Sequence, residues 1–215
     1  MAGGVWLPQR ERHLVDWMHN NNKLVGDRLT YQHNKLTAAM RYVPADRRRV
    51  AVDVGAHVGL WSMHLVDLFE AVHAFEPNAE MHECFYRNVL HSNFVLHGCA
   101  LGADQGRCGL REFDASTGHT MNTGVTKTGA IAMEKLDSFN LQDVDFVKID
   151  VEGYEYAVVL GASETLLRCR PVVVCEDKGH GHAHGIPEGA AIKFLKKLGM
   201  EVRENIGGDH IMVFP

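Results

Sequence analysis

The segment from Val50 to Gly59, with the sequence VAVDVGAHVG, constrains the fold of this chain more than any other segment. A short run of β-branched residues contains the carboxylate of Asp53, and Gly55 and Gly59 follow before an apolar stretch. This order predicts a buried strand, a tight turn and the N-terminus of a helix. Glycines let the backbone approach a ligand closely, and the free N–H groups of a helix N-terminus attract anionic groups. The segment therefore predicts a ligand-binding cradle.

A second carboxylate follows at the end of the next predicted strand, which covers residues 71–75. Glu76 stands there, with Pro77 and Asn78 directly behind it. A carboxylate roughly 20 residues after a glycine-rich turn is typical of folds that bind the ribose hydroxyls of a nucleotide-type cofactor. Two neighbouring strands are thus predicted to present carboxylates at one edge of a sheet.

The spacing of the glycines favours one class of cofactor. A dinucleotide fold requires G-x-G-x-x-G, whereas this chain has Asp53-x-Gly55-x-x-x-Gly59. A carboxylate at this point would repel two phosphates but would attract an ammonium or a sulfonium, because opposite charges a few ångströms apart attract. S-adenosylmethionine (SAM) carries both cations, so the pattern favours SAM and disfavours an NAD oxidoreductase. A turn in which the glycines only relieve strain is the alternative.

Length and composition predict a single compact domain and exclude some classes of partner. The chain has 215 residues, 46% of them hydrophobic, and a formal net charge of −5, which argues against a broad nucleic-acid surface. Its five cysteines form no C-x-x-C pair, which predicts reduced thiols and a cytoplasmic location. No apolar run approaches the ~20 residues that would cross a bilayer, so a soluble protein with no membrane partner is expected.

Strand and helix patterns alternate along the chain, which predicts a parallel sheet covered by helices on both faces. Residues 1–47 are predicted as an N-terminal helical extension, with one helix over about 8–36, and residues 48–215 as the ligand-binding domain. Gly207-Gly208-Asp209 predicts a final hairpin and hence an antiparallel C-terminal strand. Further strands are predicted at 94–96, 106–113, 129–133, 144–150, 171–176, 201–203 and 210–214, and further helices after Gly59 and Asn78 and at 154–168 and 187–198.

A second acidic cluster follows the predicted strand 144–150. Lys148 and Asp150 share strand parity, so their side chains are expected on the same side. Asp150 is the leading candidate for orienting an acceptor substrate or binding its proton, and Lys148 could hold Asp150 or stabilise an oxyanion. A purely structural Lys148–Asp150 pair is the alternative. Together with Glu152 and Glu176, Asp150 could hold Mg²⁺, which prefers oxygen ligands, although a metal is not expected.

Two polar loops are predicted to lie at the mouth of the cleft. The segment 179–185 contains three histidines at alternate positions. It could bind zinc or nickel, or it could form a mobile loop that faces the substrate. The loop 114–128 could cover the acceptor or merely connect two strands. The polar residues considered in these loops are His180, His182 and His184 in the first and Ser116, Thr117, His119 and Thr120 in the second.

The run VKIDVEGYE at 147–155, together with VDVGA at 52–56, FEP at 75–77, ALG at 100–102 and LDS at 136–138, resembles the FkbM-type SAM-dependent methyltransferases over roughly residues 50–176. The resemblance implies a Rossmann-like class I methyltransferase fold, a three-layer α/β sandwich with a mostly parallel seven-stranded sheet. It also implies O-methylation of a hydroxyl on a sugar, polyketide or other small molecule. His57 departs from the asparagine usual in the family, and Trp61 from a smaller aromatic residue.

The resemblance also implies the residues that contact the cofactor. The turn after the first strand would surround the methionine half, the end of the second strand the ribose, and a third segment the adenine. The candidates are Asp53, Gly55, Ala56, His57 and Gly59 for the first region, Glu76, Pro77 and Asn78 for the second, and Cys99, Ala100 and Leu101 for the third, with Asp150 also close to the cofactor. The catalytic candidates are Asp150, Lys148 and Glu152.

Two other functions remain open at the level of sequence. A nucleic-acid ribose methyltransferase can also use lysine and acidic residues around SAM, and it would bind RNA in a strongly salt-dependent manner. A SAM-binding module without turnover is the non-catalytic alternative. A homodimer is left open as the assembly.

Overall fold

The fold is an α/β sandwich built around a seven-stranded sheet. This computed structural model describes residues 4–21, 24–25, 28–112 and 123–215. The helices are α1 (His13–Asn21), α2 (His33–Met40), α3 (Ser62–Leu68), α4 (Ala79–Asn88), α5 (Glu155–Leu160), α6 (Ser163–Cys169) and α7 (Ala190–Lys197). The strands are β1 (Leu24–Val25), β2 (Arg28–Leu29), β3 (Val50–Val54), β4 (Ala71–Phe75), β5 (Phe94–His97), β6 (Ala100–Leu101), β7 (Gly106–Glu112), β8 (Thr123–Glu134), β9 (Val144–Ile149), β10 (Val172–Glu176), β11 (Glu201–Ile206) and β12 (Asp209–Val213).

The strand order of the main sheet is β11-β12-β10-β9-β3-β4-β5. Strands β9, β3, β4, β5 and β10 are mutually parallel, and β12 is antiparallel to both of its neighbours. This confirms the predicted seven-stranded, mostly parallel sheet with an antiparallel C-terminal strand. The chain continues from β3 to β4 on one side and returns at β9 on the other, so the strand order reverses between β3 and β9. In open α/β sheets ligands bind outside the carboxyl ends of the strands at this point.

Alternate residues of the central strands enter two separate apolar cores, one on each face of the sheet. Ala51 of β3 packs with residues of α1 to α4, whereas Val52 and Val54 pack with residues of α5 to α7. The side-chain period of two in a strand produces this division. Because both faces are covered, the inner strands β3, β4 and β10 consist mostly of apolar residues, as the sequence pattern requires.

The N-terminal segment is two helices joined through a short hairpin, not the single helix predicted over 8–36. Helix α1 ends at Asn21, β1 and β2 pair in antiparallel fashion, and α2 begins at His33. Asn20 and Asn21 are poor helix formers, which explains why α1 ends there. Leu14 and Met18 nevertheless lie in the core, as their predicted stripe requires.

Two further predicted elements have different bounds. The predicted helix 154–168 is divided into α5 and α6, because α5 ends at Leu160 and is followed by Gly161, a residue type with low helix propensity. The predicted loop 114–128 ends earlier, because β8 begins at Thr123 and pairs with β7 in a separate three-stranded sheet. Thr126 and Val125 are β-branched and suit a strand. The candidates Ser116, Thr117, His119 and Thr120 lie outside the described residues.

No helix within the described ranges has the length and apolar character needed to span a bilayer.

A buried carboxylate stabilises the sheet at the amino ends of its central strands, opposite the carboxyl ends where ligands bind in such sheets. Asp145 at the start of β9 accepts hydrogen bonds from the backbone and the guanidinium of Arg49, at 3.1 Å from N and 2.8 Å from Nε. Burial alone would raise the pKa of Asp145, but the hydrogen bonds from Arg49 outweigh it and the pKa lies below its usual value. Asp145 therefore stabilises the fold in its ionised form.

We expect Asp145→Asn to lower the free energy of unfolding by roughly 2 kcal/mol at pH 7, because it weakens charge-assisted hydrogen bonds to a buried group. A carboxylate with a lowered pKa stabilises the fold above its unfolded pKa of about 3.9 and loses that contribution as the pH falls through its folded pKa. The difference in the free energy of unfolding between wild type and variant should therefore become smaller below about pH 4. Urea denaturation at several pH values would measure it. Asp143→Asn is the control, since Asp143 contacts the same arginine but is exposed. Equal decreases in the free energy of unfolding of the two variants would contradict the stabilising role given to the buried carboxylate of Asp145.

Candidate active site

The turn after β3 brings the backbone of the glycine-rich segment against the segment that follows β9. Gly55 has a φ of 76°, and a Cβ placed on it would lie 1.9 Å from the carbonyl oxygen of Asp150. Only glycine permits both the left-handed backbone and this close approach. The N–H groups of Gly55 and Ala56 donate to the carbonyl of Phe75 at the end of β4, at 3.0 and 3.1 Å. The three strand ends β4, β3 and β9 are thus locked together.

Asp53 lies beneath this turn and is paired with Lys148. The Lys148 Nζ is 3.3 Å from Asp53 Oδ1 and donates to the carbonyl of Gly55 at 2.7 Å, while Ser62 Oγ donates to Asp53 Oδ2 at 2.7 Å. Burial alone would lower the pKa of Lys148, but the charge of Asp53 and the other nearby carboxylates outweighs it, so the pKa is raised. The predicted Lys148–Asp150 pair is therefore replaced by a Lys148–Asp53 pair.

Glu76, directly after β4, has a carboxylate that two backbone N–H groups hold in position. Its Oε2 accepts from the N–H of His57 at 2.8 Å, and its Oε1 accepts from the N–H of Asn78 at 2.7 Å. Burial raises the pKa of Glu76, and the two backbone hydrogen bonds oppose this effect. Asn78 also caps α4, since its side chain accepts from the N–H of Glu80 at 3.1 Å, which confirms the predicted cap.

The backbone conformation of His57 explains why asparagine is usual at this position in the FkbM-type methyltransferases that the sequence resembles. His57 has a φ of 50°, in the left-handed region that asparagine, aspartate and histidine tolerate better than other non-glycine residues. The contact made there is the backbone N–H bond to Glu76, so the substitution of histidine for asparagine leaves it in place.

A cavity lies above these groups at the switch point between β3 and β9, with about 880 Å³ of space when its open mouth is included. Twelve of the predicted site residues lie in its wall: Gly55, Ala56, His57, Glu76, Pro77, Asn78, Cys99, Ala100, Leu101, Lys148, Asp150 and Glu152. The structure thus brings together four segments that are distant in the sequence.

Asp53, Gly59 and Glu176 lie outside the cavity wall, which corrects their predicted positions. Asp53 is fully buried on the face of the sheet that α1 to α4 cover, where Lys148 balances its charge. Gly59 packs against Phe85 and Val89 of the α4 region, so its contact is with the core. Lys148 therefore neutralises Asp53, and the carboxylates in the cavity wall are Glu76, Asp150 and Glu152.

Ten wall residues were not predicted as site residues, and four of them are Tyr31, Leu110, Val125 and Tyr154. Tyr31 comes from the N-terminal segment, Leu110 and Val125 from the hairpin β7–β8, and Tyr154 from the turn before α5. Tyr154 stands inside the VKIDVEGYE motif, so its place in that motif was a usable signal. Tyr31 gave no such signal, because its position depends on the turn between β2 and α2. The N-terminal segment is fixed there by a 3.0 Å hydrogen bond from Trp61 Nε1 to Gln32 Oε1.

One end of the cavity is strongly acidic. Burial, reinforced by the charge of Asp150, raises the pKa of Glu152 to about 7. The same two causes raise the pKa of Glu176 to about 9, although Lys178 forms an ion pair with it. Burial and Asp150 also raise the pKa of Tyr31, so its phenol stays protonated and can donate a hydrogen bond. This end offers hydrogen-bond acceptors to a polar ligand.

The three histidines of segment 179–185 do not converge on one point. His180–His184 forms a short 3₁₀ helix, whereas three histidines at alternate positions share a face only in an extended segment. His180 Nδ1 is 3.0 Å from Glu152 Oε2, the ring of His184 packs edge-on against Tyr154, and His182 is exposed. Only His180 therefore reaches a carboxylate of the cavity wall.

The strand order of the sheet and the cavity at its switch point are those of a Rossmann-like class I methyltransferase fold. The family description "Methyltransferase FkbM domain" matches residues 53–201. The chain therefore belongs to the FkbM methyltransferase family. No curated protein sequence matches it.

Solved structures with the same fold include three methyltransferases of low sequence identity. An FkbM methyltransferase from Methylobacillus flagellatus has a TM-score of 0.52 at 18% identity over 79% of this chain, which spans only 44% of that protein. A precorrin-6y C5,15-methyltransferase from Geobacter metallireducens has a TM-score of 0.51 at 12% identity, with 97% and 96% of the two chains covered. A methyltransferase candidate from Streptococcus mutans, solved with S-adenosylhomocysteine (SAH), has a TM-score of 0.52 at 10% identity, with 85% and 96% covered. These likenesses support the fold.

The cavity residues fit SAM. The glycine turn at Gly55 allows close backbone approach, and the carboxylate of Glu76 lies at the end of β4, where folds of this kind bind the ribose diol. Asp150 and Glu152 supply negative charge for a cationic ligand at the same edge. The apolar segment 99–101 offers a surface for a planar base.

We expect Gly55→Ala to abolish SAH binding and to destabilise the fold by about 2–4 kcal/mol, because its Cβ would overlap the Asp150 carbonyl. Isothermal titration with SAH and urea denaturation would measure the two effects. Gly106→Ala is the matched control, since a Cβ there meets nothing within 4 Å. Wild-type SAH affinity in Gly55→Ala would contradict the proposed geometry of the turn.

At position 57 we expect asparagine to be tolerated and valine to be harmful. Because φ is 50°, a β-branched residue should cost about 1–2 kcal/mol, whereas His57→Asn should stay close to wild type. Thermal unfolding and SAH titration of both variants would test this. Equal stability of His57→Val and His57→Asn would show that the backbone conformation does not select the residue.

Proposed function

We propose that this chain transfers the methyl group of SAM to a hydroxyl oxygen of a small-molecule or sugar-type acceptor. The observation that carries the proposal is the acidic end of the cavity, where Asp150 and Glu152 line the wall beside the glycine turn. A hydroxyl donates a hydrogen bond to a carboxylate and becomes a better nucleophile as it loses its proton. The aromatic side chains of Tyr31, Trp61 and Tyr154 in the same wall suit a sugar or another compact ring.

SAM, when bound, supplies an electrophilic methyl group on a sulfonium. The residues of the chain then have two tasks, to align the acceptor and to accept its proton. Alignment can contribute up to about 7–11 kcal/mol, and a positioned base typically adds about 10²–10⁴-fold. We assign Glu76 to binding of the ribose and Asp150 to the acceptor hydroxyl. We place Glu152 beside the acceptor, at the same end of the cavity as Asp150. Lys148 acts indirectly, because its ammonium holds Asp53 and the carbonyl of Gly55.

An RNA acceptor is the second candidate. The fold is shared with an rRNA methylase from Streptococcus thermophilus, with a TM-score of 0.50 at 10% identity, and with the fibrillarin/Nop5p complex, with a TM-score of 0.51 at 15% identity. The net charge of −5 and the carboxylates in the cavity wall disfavour a phosphate-rich acceptor. A non-catalytic module that binds SAM is the third candidate. A homodimer and a cytoplasmic location stay predictions.

Incubation with SAM and a panel of hydroxyl compounds, including monosaccharides, oligosaccharides, phenols and lactones, tests the proposal. We expect SAH release together with a mass gain of one methylene on an acceptor, at an oxygen identified by NMR. Methylated RNA, with binding that weakens steeply as salt increases, would favour the second candidate. Tight SAH binding without transfer to any compound would favour the third.

With an acceptor in hand, we expect Asp150→Asn to lower kcat by about 10²–10⁴-fold and to change SAH affinity only a few-fold, because the amide keeps the shape but cannot take a proton. Asp104→Asn is the control, since its carboxylate is exposed and is not part of the cavity wall. Unchanged kcat in Asp150→Asn would remove Asp150 from the catalytic residues.

A further inference from the structure

The histidine-containing segment is docked onto the turn that follows β9. A Cβ on Gly153 would lie 2.5 Å from the carbonyl oxygen of His180 and 2.9 Å from the amide nitrogen of Gly181, so the two backbones can approach only because residue 153 is glycine. This contact places the imidazole of His180 beside Glu152, with 3.0 Å between Nδ1 and Oε2. His180 is therefore held against the turn by the backbone packing as well as by its own hydrogen bond.

A second carboxylate reaches the same point from the neighbouring strand. Glu176 ends β10, is 4% exposed, and has a carboxylate oxygen that lies within 4.8 Å of ligand atoms of both Glu152 and His180. The three groups come from the turn after β9, the end of β10 and the 3₁₀ helix. An imidazole nitrogen and two carboxylates, one of them buried, thus converge from separate segments.

We propose that Glu152, Glu176 and His180 bind one divalent transition-metal ion of the Zn²⁺ or Mn²⁺ class. Carboxylate oxygen together with imidazole nitrogen suits these ions, whereas Mg²⁺ prefers oxygen ligands alone. The sequence offered two metal interpretations, one with only acidic residues and one with only histidines. The proposed site combines Glu152 and Glu176 of the acidic set with His180 of the histidine set.

Lys178 is the group that competes with the ion. Its ammonium forms an ion pair with Glu176 and lies 3.7 Å from Asp209 Oδ1, and its side chain is about one-third exposed. Asp209 has a second cationic partner, because Lys35 Nζ lies 2.6 Å from its Oδ2. Lys178 can therefore turn towards solvent without leaving Asp209 unpaired, and its removal should strengthen metal binding.

The ion would lie at the acidic end of the cavity, because Glu152 is part of the wall. An acceptor hydroxyl bound to it would release its proton more readily, since a Lewis acid lowers the pKa of a bound oxygen. This role rests on the proposed methyl transfer to a hydroxyl, but the metal site itself does not.

The test is titration of the chelator-treated full chain with ZnCl₂, MnCl₂ and MgCl₂ by calorimetry. We expect one Zn²⁺ or Mn²⁺ per chain, with Mg²⁺ bound much more weakly. Glu176→Gln and His180→Ala should each weaken binding at least about tenfold, and Lys178→Met should strengthen it. His182→Ala is the matched control, because His182 is an exposed histidine of the same segment and should bind the ion like wild type.

Three results would overturn the inference: no saturable binding of Zn²⁺ or Mn²⁺, equal weakening by His182→Ala and His180→Ala, or full affinity in Glu176→Gln. SAH titration of the same proteins separates this outcome from that of the proposed function. Intact SAH binding without metal binding overturns the metal site alone, whereas failure to bind SAH counts against the methyltransferase assignment and leaves the metal result to be judged separately.

Discussion

The buried pair of Lys148 and Asp53 supports the ligand-binding edge of this protein. The two side chains are 6% and 0% exposed and stand on adjacent strands in register, β9 and β3. Loss of either partner would leave an uncompensated charge in the core, which is strongly destabilising. The same ammonium donates to the carbonyl of Gly55, so one group joins both central strands to the glycine turn. The cavity lies where this turn meets the segment that contains Asp150.

This arrangement changes the electrostatic account of cofactor recognition. With Asp53 neutralised beneath the turn, the negative charge that a sulfonium or an ammonium meets comes from Glu76, Asp150 and Glu152. Two backbone N–H groups hold the carboxylate of Glu76, whereas the other two carboxylates lie at the end assigned to the acceptor. Recognition of the nucleoside and activation of the acceptor are therefore assigned to different strand ends.

The sequence allowed prediction of what depends on local patterns. Apolar runs and the glycine turn predicted the parallel sheet, and the FkbM resemblance located most of the cavity wall. Ion pairs between strands were harder to predict from the sequence. Strand parity shows that the side chains of Lys148 and Asp150 lie on the same side, but it does not show that Lys148 pairs with Asp53 of the neighbouring strand. The N-terminal helix was predicted too long, because the apolar stripe of α1 masked the break near residues 20–26. Tyr31 and the Glu152–His180 contact depend on tertiary packing that no spacing reveals.

A crystal structure of the chain with SAH tests the central claim most directly, namely that the cavity at the switch point binds the nucleoside through the strand ends. We predict the ribose hydroxyls within hydrogen-bond distance of the Glu76 carboxylate, the amino-acid portion beside the Gly55 turn, and the base against residues 99–101. SAH located elsewhere, or bound in the cavity with its ribose away from Glu76, would contradict the account.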